Sequence, residues 1–217
     1  VGGSTTNVTG LNCTTALTVA IWAKLIGGAP STDIIRHTST ANVQRQGWRC
    51  GFGSLSFQLN IADTAGNTSY AAINPSPHRD GRWHHYLVTF DDAANVIRGY
   101  VDGALHTVLG SVTRDLTAAP SCTTTWNPNA IGNGNGFFLF DFQILPDIVV
   151  PPQDVRLLMD PRVQYPGVKG RYFGLNFNTT AAGTGACIDE SGNGNNLTIS
   201  PSAFQQGEEP PWRSTYQ

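Results

Sequence analysis

Lysine and glutamate are nearly missing from this chain. Lys occurs only at Lys24 and Lys169, and Glu only at Glu190, Glu208 and Glu209, among 217 residues of which 13% are charged. These residues clothe the polar face of an amphipathic helix, so their scarcity disfavours a helical protein. With two Lys, the balance of the cations Arg, and no basic run, the electrostatic footprint of nucleic-acid binding is lacking. No stretch reaches the ~18 consecutive apolar residues of a membrane span, because Asp141 and Asp147 interrupt the richest one, Phe137 to Val150. No membrane insertion is expected. Val1-Gly2-Gly3-Ser4 has neither a basic n-region nor an apolar h-region, which leaves a signal removed earlier, or only an initiator Met lost, as alternatives.

Cys13, Cys50, Cys122 and Cys187 lie far apart, with no Cys-x-x-Cys pair to suggest zinc or redox chemistry. Two disulfides in any of three connectivities, or four buried thiols, both fit that count. Five N-x-S/T sequons, at Asn7, Asn12, Asn67, Asn178 and Asn196, compare with about three expected by chance from the Asn, Ser and Thr content.

What is abundant is Gly, Thr, Asn, Ser and Pro, the vocabulary of short strands joined by turns. Leu17 to Ile26 is apolar on both alternation sets apart from Thr18 and Lys24, as in a strand covered on both faces. Asp33 to Thr38 and Trp48 to Asp63 continue the pattern, with Leu55, Phe57, Leu59 and Ile61 on one face and Ser56, Gln58 and Asn60 on the other. Tyr70 to Ile73, Arg82 to Asp92, Val96 to Val108, Phe137 to Leu145, Gly170 to Phe177 and Leu197 to Ile199 read as further strands. Asp102-Gly103 between apolar runs signals a type I′ hairpin turn. One short helix is expected from Pro151-Pro152-Gln153-Asp154, with Val155, Leu157, Leu158 and Met159 covering one side until Pro161 stops it. Residues 207–217, beginning Gly207-Glu208-Glu209-Pro210-Pro211, read as an extended tail.

LTVAIWAKL (17–25), GRWHHYLVTFD (81–91) with IRGYVDGALH (97–106), and DESGNGNNLTI (189–199) together resemble the laminin-G-like branch of the concanavalin-A-like jelly rolls. The middle pair carries the likeness best, with W-H-H-x-x-V-T-x-D followed by Y-V-D-G. The resemblance covers essentially the whole chain. It implies an all-β, two-sheet antiparallel jelly-roll sandwich with one short helix, forming a single domain over residues 1–206. It also implies ligands taken on the rim or concave face, often with calcium. In relatives the D-x-S-G-N-G-N element commonly precedes the W-x-K strand, whereas here it comes last. The expectation is therefore that 189–199 completes the sandwich beside the N-terminal strand in permuted order. Its alternative is that the segment leaves to pair with a neighbouring chain by strand addition.

Glycoside hydrolysis requires two carboxylates flanking the scissile bond. No Glu precedes Glu190, no strand displays paired acids on one face, and Asp141 stands alone in FFLFDFQIL, so no enzyme is expected. His84 and His85, near His78 and Asp80, point to opposite strand faces and suit packing and hydrogen bonding better than one metal. No G-x-S-x-G elbow supports a Ser-His-Asp triad. Hard oxygens for calcium are available on loops at Asp189, Asn193, Asn195 and Asp102, and also at Asp91, Asp92, Asn133 and Asn135. Positive-φ turns account for the same Gly/Asn-rich stretches without a metal. Trp22 and Trp83 lie in strands and read as core. Trp48, Trp126 and Trp212 border loops or the tail, where a ring could meet a sugar or a protein partner.

These readings point to a non-enzymatic structural or adhesion protein displayed on a surface. The leading expectation is a decoration protein on the outside of a phage-like virion, its partners a shell or capsid protein or copies of itself, with glycan adhesion as an added role. The alternative is a secreted, calcium-dependent, lectin-like carbohydrate-binding module. Either would be found on a virion surface or outside a cell.

Overall fold

A computed structural model describes residues 3–5, 8–25, 32–39, 47–53, 56–62, 68–73, 80–106, 108–111, 122–126, 137–172, 177–179 and 185–199. Among them the strands are β1 (Gly3–Thr5), β2 (Ala16–Leu25), β3 (Thr32–Ser39), β4 (Gly47–Gly53), β5 (Ser56–Ala62), β6 (Thr68–Ile73), β7 (Trp83–Asp91) and β8 (Val96–Val101). They continue with β9 (Ala104–His106), β10 (Val108–Ser111), β11 (Cys122–Trp126), β12 (Phe137–Pro146), β13 (Gly170–Tyr172), β14 (Phe177–Thr179), β15 (Gly185–Cys187) and β16 (Leu197–Ile199). One sheet runs β1-β11-β3-β4-β5-β6-β10, and a second runs β13-β12-β2-β7-β8-β9. Every pairing within them is antiparallel.

The facing sides of these sheets make the main core. Leu17, Val19, Ile21, Ala23 and Leu25 of β2 meet Phe52, Phe57, Leu59 and Ile61 from the other sheet, with Tyr86, Val88 and Phe90 of β7 alongside. Period-2 alternation puts these odd-numbered β2 residues on one face, as strand geometry requires. The even-numbered face of β2 is covered too. Ala20, Leu87, Tyr100 and Leu145 form a second cluster with Val150, Val155, Leu158 and Val168 from the segment that follows β12. That second cover is why β2 reads apolar on both alternation sets.

The segment carries the short helix, Pro152–Met159, which is a 3₁₀ rather than an α-helix. Val155 and Leu158 are its buried residues, spaced by the three residues per turn of that geometry. Leu157, expected on the covered side, is 44% exposed. The expected strand at 48–63 is resolved into β4 and β5, paired with each other as Gly47↔Ala62 through Gly53↔Ser56. Phe57, Leu59 and Ile61 are buried on one face as anticipated, while Leu55 lies outside the described residues.

The C-terminal strand has a partner within its own chain. β16 pairs with β15, which pairs with β14, in a three-stranded sheet separate from the two larger ones and close to β1 and β11. Residues 188–196 close against β13. Asp189 Oδ1 accepts the Arg171 and Ser191 N–H groups at 2.9 Å each, and Oδ2 accepts the Asn195 N–H at 2.9 Å. The disulfide alternatives also narrow here. Cys50 is a fully buried thiol, pushed well above its ordinary pKa by burial and by the nearby Asp33.

Candidate functional site

A pocket of about 490 Å³ opens on the helix-covered side of the second sheet, lined by Trp22 and Asp102 from the sheet and by residues of the helix and its exit. Trp22 stands on the even-numbered face of β2, opposite His85 of β7 and Phe140 of β12. Its indole Nε1–H donates to the Met159 carbonyl at 3.1 Å, and its ring meets His85 edge-on with centroids 5.2 Å apart. The ring is thus held while remaining partly exposed.

The opposite wall is the β8–β9 turn. Asp102 and Gly103 have φ values of 50° and 78°, the two positive angles that the Asp-Gly dipeptide announced. A Cβ on Gly103 would lie 3.1 Å from both Arg156 Cγ and Met159 Sδ. Glycine therefore serves twice here, supplying the left-handed angle and letting the helix approach the hairpin.

Four charged residues line the pocket: Asp102, Arg156, Asp160 and Arg162. Arg162 grips Asp160 through two parallel bonds, Nε to Oδ1 at 2.8 Å and Nη2 to Oδ2 at 2.5 Å. Those bonds, chiefly, hold the Asp160 carboxyl down at about 2. Asp102 turns its oxygens toward β7, Oδ1 accepting the His85 backbone N–H at 2.9 Å and Oδ2 meeting His84 Nδ1 at 2.7 Å. His84 Nε2 lies 3.1 Å from Asp80 Oδ1. Burial alone would lower the His84 pKa, but these two carboxylates outweigh it and hold it above the ordinary value. His85 behaves differently. Its ring is fully buried, neither nitrogen makes a hydrogen bond of good geometry among the described residues, and burial pulls its pKa down to about 3.

A buried ion pair supports the pocket from behind. A β-bulge sets Asp141 and Phe142 of β12 against the single residue Ile21 of β2, with Asp141 at φ 47°. The bulge turns Asp141 to the helix side, where Arg171 Nε and Nη2 reach its two oxygens at 2.7 Å each. Two further guanidinium donors go to the Val163 and Pro161 carbonyls at 2.8 Å. Gln143 Nε2 binds both Asp141 Oδ2 and the Leu158 carbonyl at 3.0 Å. Burial raises the Asp141 pKa against the pull of Arg171.

The residues expected to contact ligand are scattered. Trp48 is 1% exposed in β4, packed in the core with its Nε1–H on the Leu11 carbonyl at 3.1 Å, so its ring is structural and that expectation is corrected. Trp126 ends β11 opposite Gly3 and Ile35, and Trp212 lies outside the described residues, as do Asn133 and Asn135. The calcium candidates do not converge. Asp102 belongs to the pocket, while both oxygens of Asp189 already accept backbone N–H groups. Asn193 and Asn195 spend their Nδ2 donors on the Val168 and Lys169 carbonyls, stitching 188–196 to the chain before β13. Among the described residues no three His, Cys, Asp or Glu side chains are grouped to hold a metal. This donor set fits a self-supported turn rather than a six- to eight-oxygen shell.

Trp22, Arg156, Asp160 and Arg162 are the pocket residues that sequence reasoning passed over. The signal for Trp22 was present: it shares its alternation set with Thr18 and Lys24, the two polar residues of the strand.

The architecture recurs in known structures. The receptor-binding domain of botulinum neurotoxin C/D mosaic serotype aligns with a TM-score of 0.53 at 14% identity, over 66% of this chain and 35% of that one. The binding domain of botulinum neurotoxin DC, solved in complex with rat synaptotagmin II, aligns with a TM-score of 0.51 at 17% identity, over 80% and 44%. The chain thus spans less than half the length of these structures, and the likeness is one of fold. No curated protein sequence matches it significantly. Residues 2–144 match the laminin-G family described as the concanavalin A-like lectin/glucanases superfamily. That match takes in most of both sheets, including the W-H-H strand and the Asp-Gly hairpin, and this chain belongs to that family.

Proposed function

We propose that this domain is a non-catalytic carbohydrate-binding module that takes its ligand in the Trp22 pocket. The observation that carries the reading is the Trp22 ring itself, partly exposed, fixed by the Met159 carbonyl, and flanked by carboxylate and guanidinium groups. A flat apolar face beside a few oriented polar groups suits a sugar ring, which presents C–H bonds on one face and hydroxyls at its edge. The concanavalin A-like fold supports a binding role, as does the toxin binding domain of like fold that engages synaptotagmin II.

The acids near the pocket are poorly suited to hydrolysis. Glycosidases pair a carboxylic acid of raised pKa with a free carboxylate. Asp160 is held ionised by Arg162, Asp102 is committed to β7, and Asp141, whose pKa is raised, is fully buried under Arg171. Because the pocket's two carboxylates, Asp102 and Asp160, are committed to His84, the His85 N–H and Arg162, binding there is also proposed to be independent of calcium. Of the virion-decoration expectation, glycan adhesion is the half that the pocket supports. The shell-partner half rests on composition and on the terminal segments, of which the 207–217 tail with Trp212 lies outside the described residues.

A glycan array probed with the whole chain and with Trp22→Ala tests the proposal. Signal on defined glycans that Trp22→Ala removes, with thermal unfolding still cooperative, is the expected result. Equal signal from both proteins would overturn it.

A further inference from the structure

The four charged groups of the pocket are unequally committed. Arg162 and Asp160 neutralise one another in a bidentate pair, and Asp102 is held by His84 and by the His85 N–H. Arg156 is the exception. Among the described residues it has no hydrogen bond or ion pair, and its stem is laid across the Gly103 turn so that the side chain lines the pocket. The glycine thus lets a cation reach the pocket whose two carboxylates, Asp102 and Asp160, are already taken by other partners. A guanidinium offers a planar, bidentate match to a carboxylate.

We infer that the ligand of the Trp22 pocket is a carboxylate-bearing sugar, a uronic or sialic acid residue, whose ring lies on Trp22 while its carboxylate pairs with Arg156. This inference rests on the carbohydrate reading above and adds to it the ligand's charge. A neutral sugar would leave Arg156 as solvated as it is in the free protein, whereas an acidic one gains an ion pair beside an apolar ring. That pair is exposed, so its contribution is modest and screened by salt, roughly a fivefold gain in affinity at low ionic strength.

Calorimetric titration of the 217-residue chain with trigalacturonic acid, 3′-sialyllactose, galactotriose and lactose tests this, the first two arms separating the two sources of carboxylate. The expected result is that an acidic sugar binds about fivefold tighter than its neutral counterpart at low salt, and that this gap shrinks in 0.5 M salt. Arg156→Gln should close the gap and Arg156→Lys should retain most of it. Equal affinity for acidic and neutral sugars, or a gap that survives Arg156→Gln, would overturn the inference while leaving the carbohydrate site standing. If none of the four sugars binds, the inference falls, while the carbohydrate reading stands or falls on the array.

Discussion

Three histidines are shifted in two opposite directions. His37 is 1% exposed, with Nε2 2.7 Å from Asn12 Oδ1, and burial lowers its pKa to about 4. His85 is lowered further, to about 3. For both, the folded state disfavours the proton that the unfolded chain accepts near pH 6.5, so their contribution is full above that value and is lost as pH falls. Each should cost about 3 kcal/mol by pH 4. His84 has the opposite sign, its raised pKa contributing below about 6.5 and fading as pH rises through the folded value. Urea unfolding as a function of pH should therefore show a steep loss of stability between pH 6.5 and 4. His85→Gln should flatten that loss, and an unchanged slope would refute the assignment.

The Asp141–Arg171 pair yields a second prediction at this scale. Removing one member of a buried, fully bonded pair strands the other, so Arg171→Met should destabilise by roughly 3–5 kcal/mol. Asp141→Leu combined with Arg171→Met should recover a large part of it, read from denaturant midpoints. Little of this pair was legible beforehand. Asp141 stood out as an acid among aromatics, but nothing in FFLFDFQIL marks the bulge that turns it to the helix side, nor that Arg171 would arrive from the edge strand β13.

At the scale of elements, the β8–β9 hairpin and the 3₁₀ helix work as a unit. Gly103→Ala adds a Cβ at a φ of 78° and 3.1 Å from Arg156 Cγ and Met159 Sδ. It should cost about 1 kcal/mol or more and also weaken glycan binding, because Arg156 must move. A variant with lowered stability and unaltered affinity would separate the hairpin from the site. Local chemistry made this hairpin legible, since Asp-Gly between apolar runs has one favourable turn. The helix was legible in position but not in type. Val155, Leu157, Leu158 and Met159 were grouped on one side by α-helical spacing, whereas the tighter winding buries Val155 and Leu158, leaves Leu157 to solvent and turns Met159 to the pocket. The sheet beneath takes up the last two carbonyls of this helix, that of Leu158 through Gln143 and that of Met159 through Trp22.

Seen whole, the molecule is two large sheets with a core between them and a second, thinner core beneath the helix. Composition and alternation made the sandwich legible, because two-sided burial of β2 and the one-sided pattern of β5 are direct imprints of packing. The site was legible only in pieces. It joins β2, the β8–β9 turn and the 156–162 segment, and the approach of segments so distant in sequence leaves no local pattern. The exposed-tryptophan criterion selected Trp48, which the fold buries, and passed over Trp22, which the fold leaves partly open. The calcium-independent reading extends to the molecule as a whole. Excess chelator should leave both the unfolding temperature and glycan affinity unchanged, and a drop in either would restore the 188–196 turn as a cation site.

The central claim is that a sugar rests on Trp22. The most direct measurement is the indole N–H resonance of Trp22 in ¹⁵N-labelled protein titrated with an oligosaccharide from the array. The account predicts that this peak shifts saturably, together with the backbone amides of Asp102, Gly103 and residues 156–162 except Pro161. Shifts confined to another surface, with the Trp22 indole unmoved at saturation, would contradict it.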